Sequence, residues 1–267
     1  MDNTQYHHIS YWEGHTNQSY EGELIGEEPL SIYIEDKPYS VVMRTPGQEI
    51  FHAAGFCLAE GLVDRPEDFA TIGYCDDMDP NIITVKLQPE RLKKVSALLE
   101  RRGFISQTSC GICGKEMIKD LHQILRPITV GTRISIPQAI ACADRLAQSQ
   151  DLYERTHASH SVMLFDSQLE VLALAEDVGR HNALDKAIGK VFMGRQLAQA
   201  RLAALSSRIS YELIQKAARA NLPILISMSR PTALAVELGQ TLNMTLACIK
   251  EKTGLLVFCG EERFTNE

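Results

Sequence analysis

Residues 202–242 run LAALSSRISYELIQKAARANLPILISMSRPTALAVELGQTL. The spacing predicts a strand near 202–205, a helix over 210–220, a strand over 223–227 and a helix over 232–242. Strand and helix alternate twice here, and such alternation is what a largely parallel or mixed sheet covered by helices requires. Working upstream, strands are expected over 161–165 and 170–175, joined by a turn at Asp166-Ser167, followed by a helix from about 180 to 192. Further helices are expected over 115–125 and 137–148. The fold class is therefore α/β, with a smaller N-terminal α+β part ahead of it.

That N-terminal part reads differently. Alternating residues over 30–35 and 39–44 around Asp36-Lys37-Pro38 predict a hairpin. Thr45 is placed as the N-cap of a following helix, Pro46 as its first residue and Gln48 as the reciprocal capping partner, with Gly61 as its end. Strands over 70–74 and 81–87 and a helix over 89–99 come next. The first 29 residues are polar, without apolar periodicity, and are expected to form a mobile or loosely docked arm. The organisation is thus an arm over 1–29, an N-terminal part over 30–130 and an α/β part over 131–267, with no clear linker and the option of one continuous domain.

With 267 residues and 45% hydrophobic content the chain can build a substantial core. Seven cysteines, an odd number spread over that length, do not form a secreted disulfide framework, and the opening residues lack a signal pattern, so a reducing cytoplasmic setting is expected. No apolar run reaches the roughly 18 residues of a membrane helix. A net charge of −7 argues against a broad nucleic-acid surface.

Four groups of residues carry chemistry. The first is Ser109-Cys110-Gly111-Ile112-Cys113-Gly114-Lys115, expected on a loop. Its glycines open the backbone to a partner, and Lys115 with a following helix would raise the thiolate population. A Cys-x-x-Cys can be half a zinc site, a dithiol couple, a sulfur-carrying pair or two incidental cysteines. A zinc ribbon needs a second such pair, which Cys57, Cys75, Cys142, Cys248 and Cys259 do not supply; four cysteines shared across a dimer would. Thioredoxin-type chemistry expects the pair early in a βαβ unit. A zinc deaminase needs an upstream His-x-Glu, and none of the eight histidines is followed two residues later by Glu.

The second group is the run from Glu176 through Asp177, Arg180, His181 and Asp185 to Lys186, at a strand-to-helix junction. There a helix start, Arg180 and His181 could receive a phosphate. Equally, Glu176 and Asp177 could cap the helix while Arg180 and Lys186 make solvated pairs. The third is His157 and His160, just before a strand; each is either an ordinary polar residue or a ligand contact. The fourth, Ser227-Met228-Ser229-Arg230-Pro231-Thr232, follows a strand and opens a helix. Ligands in open α/β sheets gather there, although Ser229 or Thr232 could simply cap the helix.

Taken in order with Arg44-Thr45-Pro46-Gly47-Gln48-Glu49, Ala54-Gly55-Phe56 and Glu60-Gly61, the Cys110 loop, the Glu176–Lys186 run and Ser229-Arg230-Pro231-Thr232 resemble the formate dehydrogenase accessory sulfurtransferase family, FdhD, over about residues 30–260. The resemblance implies a cytidine-deaminase-like three-layer α/β/α sandwich with a mixed sheet, and a homodimer. It implies a sulfurtransferase that accepts persulfide sulfur from a cysteine desulfurase. The sulfur would pass to the molybdenum (or tungsten) bis-guanine-dinucleotide cofactor, activating formate dehydrogenase; the cofactor is cargo, and no resident metal is expected. Cys110 then matches the persulfide-bearing cysteine and Cys113 its helper or resolving thiol. The family's cofactor segment falls on Ile249, Lys250, Glu251, Lys252, Thr253 and Gly254, with Arg180, His181, Ser229 and His160 as further cofactor contacts. A solvated hairpin turn would read the same way over 252–254. Two departures stand out: His157-Ala158 where the family usually has Gly-Gly, and Arg230 where it has Ala. The competing class is a carrier or chaperone that docks the cofactor without moving sulfur; a dithiol oxidoreductase is a third reading.

Overall fold

In the computed structural model residues 3–75, 79–102, 125–251 and 253–265 are described. Cys110, Cys113 and their loop, nearly all of the helix expected over 115–125, and Lys252 lie outside the described residues.

Regular structure begins at Thr4, well ahead of residue 30. β1 (Thr4–Glu13) and β2 (Thr16–Ile25) pair antiparallel along their whole length, from Thr4 opposite Ile25 to Glu13 opposite Thr16. The expected loose arm is therefore a hairpin. Its residues face water on both sides, so it carries no apolar alternation to read; its base is held by Arg155, which donates to Glu23 and Thr4.

β3 (Glu28–Ile34) and β4 (Lys37–Arg44) form the next hairpin. Its two-residue turn is Glu35-Asp36, both at positive φ (51° and 61°), so Lys37 and Pro38 belong to the strand and not to the turn. α1 (Glu49–Ala59) follows. Its start differs from expectation. Gly47 and Gln48 sit at φ 106° and 64°, the helix opens at Glu49 with no side-chain cap, and Thr45 bonds elsewhere. β5 (Phe69–Cys75), β6 (Asp79–Leu87) and α2 (Pro89–Arg102) complete this part. The sheet order is β4-β3-β6-β5, with Leu30, Ile32, Ile34, Ile83 and Val85 buried on one face.

Then come β7 (Ile134–Ser135), α3 (Ile136–Ala147), α4 (Asp151–Thr156), β8 (His160–Phe165), β9 (Val171–Asp177), α5 (Arg180–Met193), β10 (Leu202–Arg208), α6 (Tyr211–Arg219), β11 (Ile224–Ser229), α7 (Ala233–Thr241), β12 (Thr245–Lys250), β13 (Gly254–Cys259) and β14 (Phe264–Thr265). α3 starts at a capping box: Ser135 Oγ accepts from Gln138 N and Gln138 Oε1 accepts from Ser135 N. α7 is capped by Thr232, whose hydroxyl accepts from Ala235 N at 3.2 Å.

The large sheet is mixed, in the order β13-β12-β11-β10-β8-β9. β10, β11 and β12 are parallel, while β8 and β13 run against their neighbours. Period-two alternation splits its side chains between two cores. Val162, Leu164, Ala203, Leu205, Leu225 and Leu246 face α5, α6 and α7; Met163, Phe165, Leu202, Ala204, Ile224 and Ile226 face α3. The fold is thus a three-layer α/β/α sandwich. The first core runs on without a break into Leu30, Ile32, Ile83 and Val85 of the N-terminal sheet.

α1 and α5 make that continuity close. A Cβ on Gly55 would stand 2.0 Å from the Asp185 carbonyl oxygen, and one on Gly189 would stand 1.8 Å from that of Phe51. Only glycine lets the two backbones approach this far.

Candidate functional site

The pairing registers place most of the singled-out residues on one edge of the large sheet. His160, first in β8, lies opposite Asp177, last in β9. Arg208 ends β10 opposite Ser229 at the end of β11, Ser227 pairs with Cys248 on β12, and Lys250 closes β12 opposite Gly254. Arg180 and His181 open α5, with only Val178 and Gly179 between it and β9. This is the edge formed by the carboxyl ends of the parallel strands, where α/β sheets bind ligands.

Side-chain parity narrows the set. His160, Asp177, Ser229 and Lys250 share the α5 side of the sheet with Val162, Ala175, Ser227 and Leu246. Ile249 points the other way and packs on the α3-side core, so of the C-terminal segment it can offer a ligand only backbone. Glu251 and Thr253 lie in the turn between β12 and β13, exposed.

Electrostatically this edge is positive. Burial holds the His160 ring below its ordinary pKa, helped by Arg180, His181 and Arg208 and opposed by Asp177. Burial lowers Arg180 as well, with Arg208 acting in the same direction and Glu212 opposing. Among the described residues Arg180, Arg208 and Arg230 make no side-chain hydrogen bond or ion pair, and Arg180 Nε is buried without a partner. His181 is held differently: its Nε2 lies 2.8 Å from Glu212 and 3.3 Å from Ser210 Oγ, and the bond to His181 keeps the Glu212 carboxyl below its usual range despite burial. No side chain caps α5, leaving its first N–H groups turned to the same edge.

Behind the edge lies a buried polar junction. Asp177 is fully buried and meets Lys186 Nζ at 2.7 Å. Lys186 also donates to the Thr45 carbonyl at 2.7 Å, Thr45 N donates to Asp177, and Val178 N donates to Thr45 Oγ1. Asn182 Nδ2 bridges the Met43 carbonyl and Asp177. Next to it, buried Arg44 meets Glu49 at 3.1 Å and Asn81 at 2.6 Å. Thr45, expected as a helix cap, is instead the splice between the two parts of the chain.

This junction also separates the two readings of the 176–186 run. Lys186 is not solvated. Glu176 does cap a helix, but it is α4: the carboxylate accepts from Leu152 N, Tyr153 N, Ser159 Oγ and Ser161 Oγ. Of the basic residues in this run, Arg180 alone makes no side-chain hydrogen bond or ion pair among the described residues. His157 ends α4 at φ 52°, the left-handed backbone that a glycine there would adopt without strain.

Two cavities, of about 450 and 510 Å³, lie away from this edge, beside the residues that precede β10, β11 and β12. In the first of them Arg219 is already engaged: it donates to the Leu58 and Val63 carbonyls and to Asp64. Among the described residues no three His, Cys, Asp or Glu side chains converge as a metal site, and no helix is long and apolar enough to cross a membrane.

The fold and the edge define a class: a mixed-sheet α/β/α protein with a cationic edge at the carboxyl ends of its parallel strands. Within that class the chain belongs to the FdhD/NarQ family, whose sequence profile matches residues 25–265. It is 36% identical over 251 residues to the sulfur carrier protein FdhD of Streptomyces coelicolor, covering 90% of this chain and 88% of that one. With its counterpart of the same name in Mycobacterium tuberculosis it shares 34% over 254 residues, covering 91% of each. A crystal structure of a candidate formate dehydrogenase accessory protein from Desulfotalea psychrophila superposes with a TM-score of 0.79, over 99% of this chain and 100% of that one. At 21% identity that likeness establishes the fold alone.

Proposed function

We propose that this protein is a sulfur carrier in formate dehydrogenase maturation, taking sulfane sulfur from a cysteine desulfurase and delivering it to a molybdenum or tungsten bis-guanine-dinucleotide cofactor. The observation that carries the reading is the identity of 36% over 90% of the chain to a protein named sulfur carrier protein FdhD. The cationic edge supports the cofactor half of it: a dinucleotide is rich in phosphate, and the edge offers Arg180, His181, His160, Ser229 and Lys250, with Glu251, Thr253 and Gly254 beside it.

In the first step the Cys110 thiolate attacks the outer sulfur of the desulfurase persulfide. A new S–S bond forms on Cys110, the donor's S–S bond breaks, and the donor cysteine leaves as a thiolate. In the second, the Cys113 thiolate attacks Cys110 Sγ. The Cys110–Cys113 disulfide forms and the outer sulfur leaves as hydrosulfide toward the metal, so two thiol electrons reduce one sulfane sulfur. A homodimer, with the desulfurase and the apo-dehydrogenase as successive partners, belongs to the same proposal.

The test is sulfur labelling. Purified protein is incubated with a cysteine desulfurase and radiolabelled cysteine, then mapped by peptide. Reductant-labile label is expected on the Cys110 peptide and absent in Cys110→Ser. A chain that stays unlabelled but still binds the cofactor is a carrier or chaperone only.

A further inference from the structure

Seven of the ten large hydrophobic side chains that stand exposed among the described residues fall between Tyr6 and Met43, so the apolar surface of the molecule is concentrated at one end of the chain. Tyr6, Tyr11, Trp12, Tyr20 and Leu24 lie on the β1–β2 ribbon. A two-stranded ribbon is marginal by itself in water. Arg155 ties this one down at its base, while both of its edges are unpaired among the described residues. Open edges and bare rings of this kind invite a partner.

Rings stand on both faces of the ribbon, and charge is what separates them. The face turned to α4 holds Tyr6, Trp12, Glu21 and Glu23, and Arg155 reaches Glu23 there. The outer face holds Ile9, Tyr11, Tyr20 and Leu24, with no Asp or Glu among its residues from Gln5 to Tyr11 or from Gln18 to Leu24. It is also packed across the ladder: a Cβ on Gly22 would stand 2.5 Å from the end of the Ile9 side chain and 3.2 Å from the Tyr20 ring. A second charge-free surface lies on the four-stranded sheet. Val41 pairs with Ser31 and Met43 with Pro29, on the face opposite buried Leu30 and Ile32, and Ile82 lies beside Ser31 on β6.

The charge pattern decides what covers these surfaces. Residues 1–36 hold eight Asp or Glu and none of the chain's 27 Lys and Arg. A basic partner would be drawn to the face with Glu21 and Glu23 and would leave the outer face bare. Two copies of the chain are repelled at that acidic face, but they can meet through the outer face without stranding a charge. The area suffices. A ribbon face about 34 Å long and about 10 Å wide, laid on a partner surface twice around a two-fold axis, buries on the order of 1,300 Å², within the range of stable interfaces.

We propose that the occupant is a second copy of this chain: the outer face of each ribbon lies on the β3–β4 surface of the other copy, around a two-fold axis. This names the contact surface of the homodimer in the function proposed above and rests on that part of it alone.

The experiment is sedimentation velocity over a concentration series of the full chain, as wild type, Tyr11→Lys, Met43→Lys and Trp12→Gln, with thermal melts showing that each variant is folded. The wild type is expected to dimerise. Tyr11→Lys on the ribbon and Met43→Lys on β4 each bury a charge in the contact and should raise the dimer dissociation constant by about 10-fold or more. Trp12→Gln, on the face turned to α4, should leave it unchanged. A dimer as tight in Tyr11→Lys or in Met43→Lys as in the wild type overturns the surface while leaving the homodimer standing, and so does equal weakening by Trp12→Gln. A wild type that is monomeric at every concentration overturns both. Sulfur transfer is decided separately by the label on Cys110, which a monomer can carry.

Discussion

Arg219 and Arg91 at one edge of the large sheet and Arg180, Arg208 and Arg230 at the other are used in opposite ways. At the amino ends of the parallel strands, Arg219 bonds two carbonyls and Asp64, while Arg91 bonds the Gly61 and Leu62 carbonyls and pairs with the same Asp64. Burial pushes the Asp64 carboxyl up, but Arg219 and Arg91 outweigh it and hold it below the usual range. Both guanidinium groups fasten a loop. At the carboxyl ends, Arg180, Arg208 and Arg230 fasten nothing among the described residues. A cation whose partners are all in the chain is a structural element. One without a partner in the chain is open to something outside it.

The comparison breaks first, and hardest, at the junction behind the carboxyl edge. Lys186→Met leaves Asp177 buried and unpaired and is expected to destabilise the fold by about 3–5 kcal/mol, read from chemical denaturation. If the loss stays under 1 kcal/mol, the pair is not the splice that its geometry indicates.

The edges themselves are compared by Arg219→Ala and Arg208→Ala. The first strands two backbone carbonyls and a carboxylate, with an expected loss of about 1–3 kcal/mol. The second should leave stability within about 0.5 kcal/mol. Equal losses in the two melts would erase the distinction between the edges.

A pH series sharpens the same picture. His52 is fully buried, and burial first, then Lys186, Lys216 and Arg44, keep its pKa well below the ordinary value. The unfolded chain binds a proton at about pH 6.5 that the folded chain refuses. Stability is therefore unaffected by His52 above that pH and falls as the pH drops through the window beneath it. His52→Gln should flatten this slope; an unchanged slope would place the titration elsewhere.

The smallest effect is at His157. Moving this left-handed position to glycine, His157→Gly, should raise stability by up to about 1 kcal/mol, less whatever its edge-on contact with Tyr153 contributes. A lower melting temperature would mean that the ring contact outweighs the backbone strain.

The alternation over 202–242 and the parity of each strand were legible because two buried faces and flanking helices impose strong periodicity. The β1–β2 hairpin was not, since strands wetted on both faces need no apolar period. Thr45-Pro46 reads as a helix start by every local rule, yet Thr45 is engaged by Asp177, a contact across 132 residues that no local rule contains. Arg180, His181, His160 and Ser229 were readable as residues at element ends. Arg208 was not, because the periodic signal of β10 stops at Leu205 and the bulge that follows it leaves no mark on composition.

The glycine contact between α1 and α5 has a mechanical consequence. With backbone touching backbone at Gly55 and Gly189 there is no side chain to rotate aside, so the two helices behave as one lever, and tightly packed interiors transmit displacement. A ligand that tilts α5 from its Arg180 end moves α1 with it, and with α1 the four-stranded sheet whose core it shares. The sheet's last strand leads into α2, and α2 ends at Arg102, eight residues before Cys110 in the sequence.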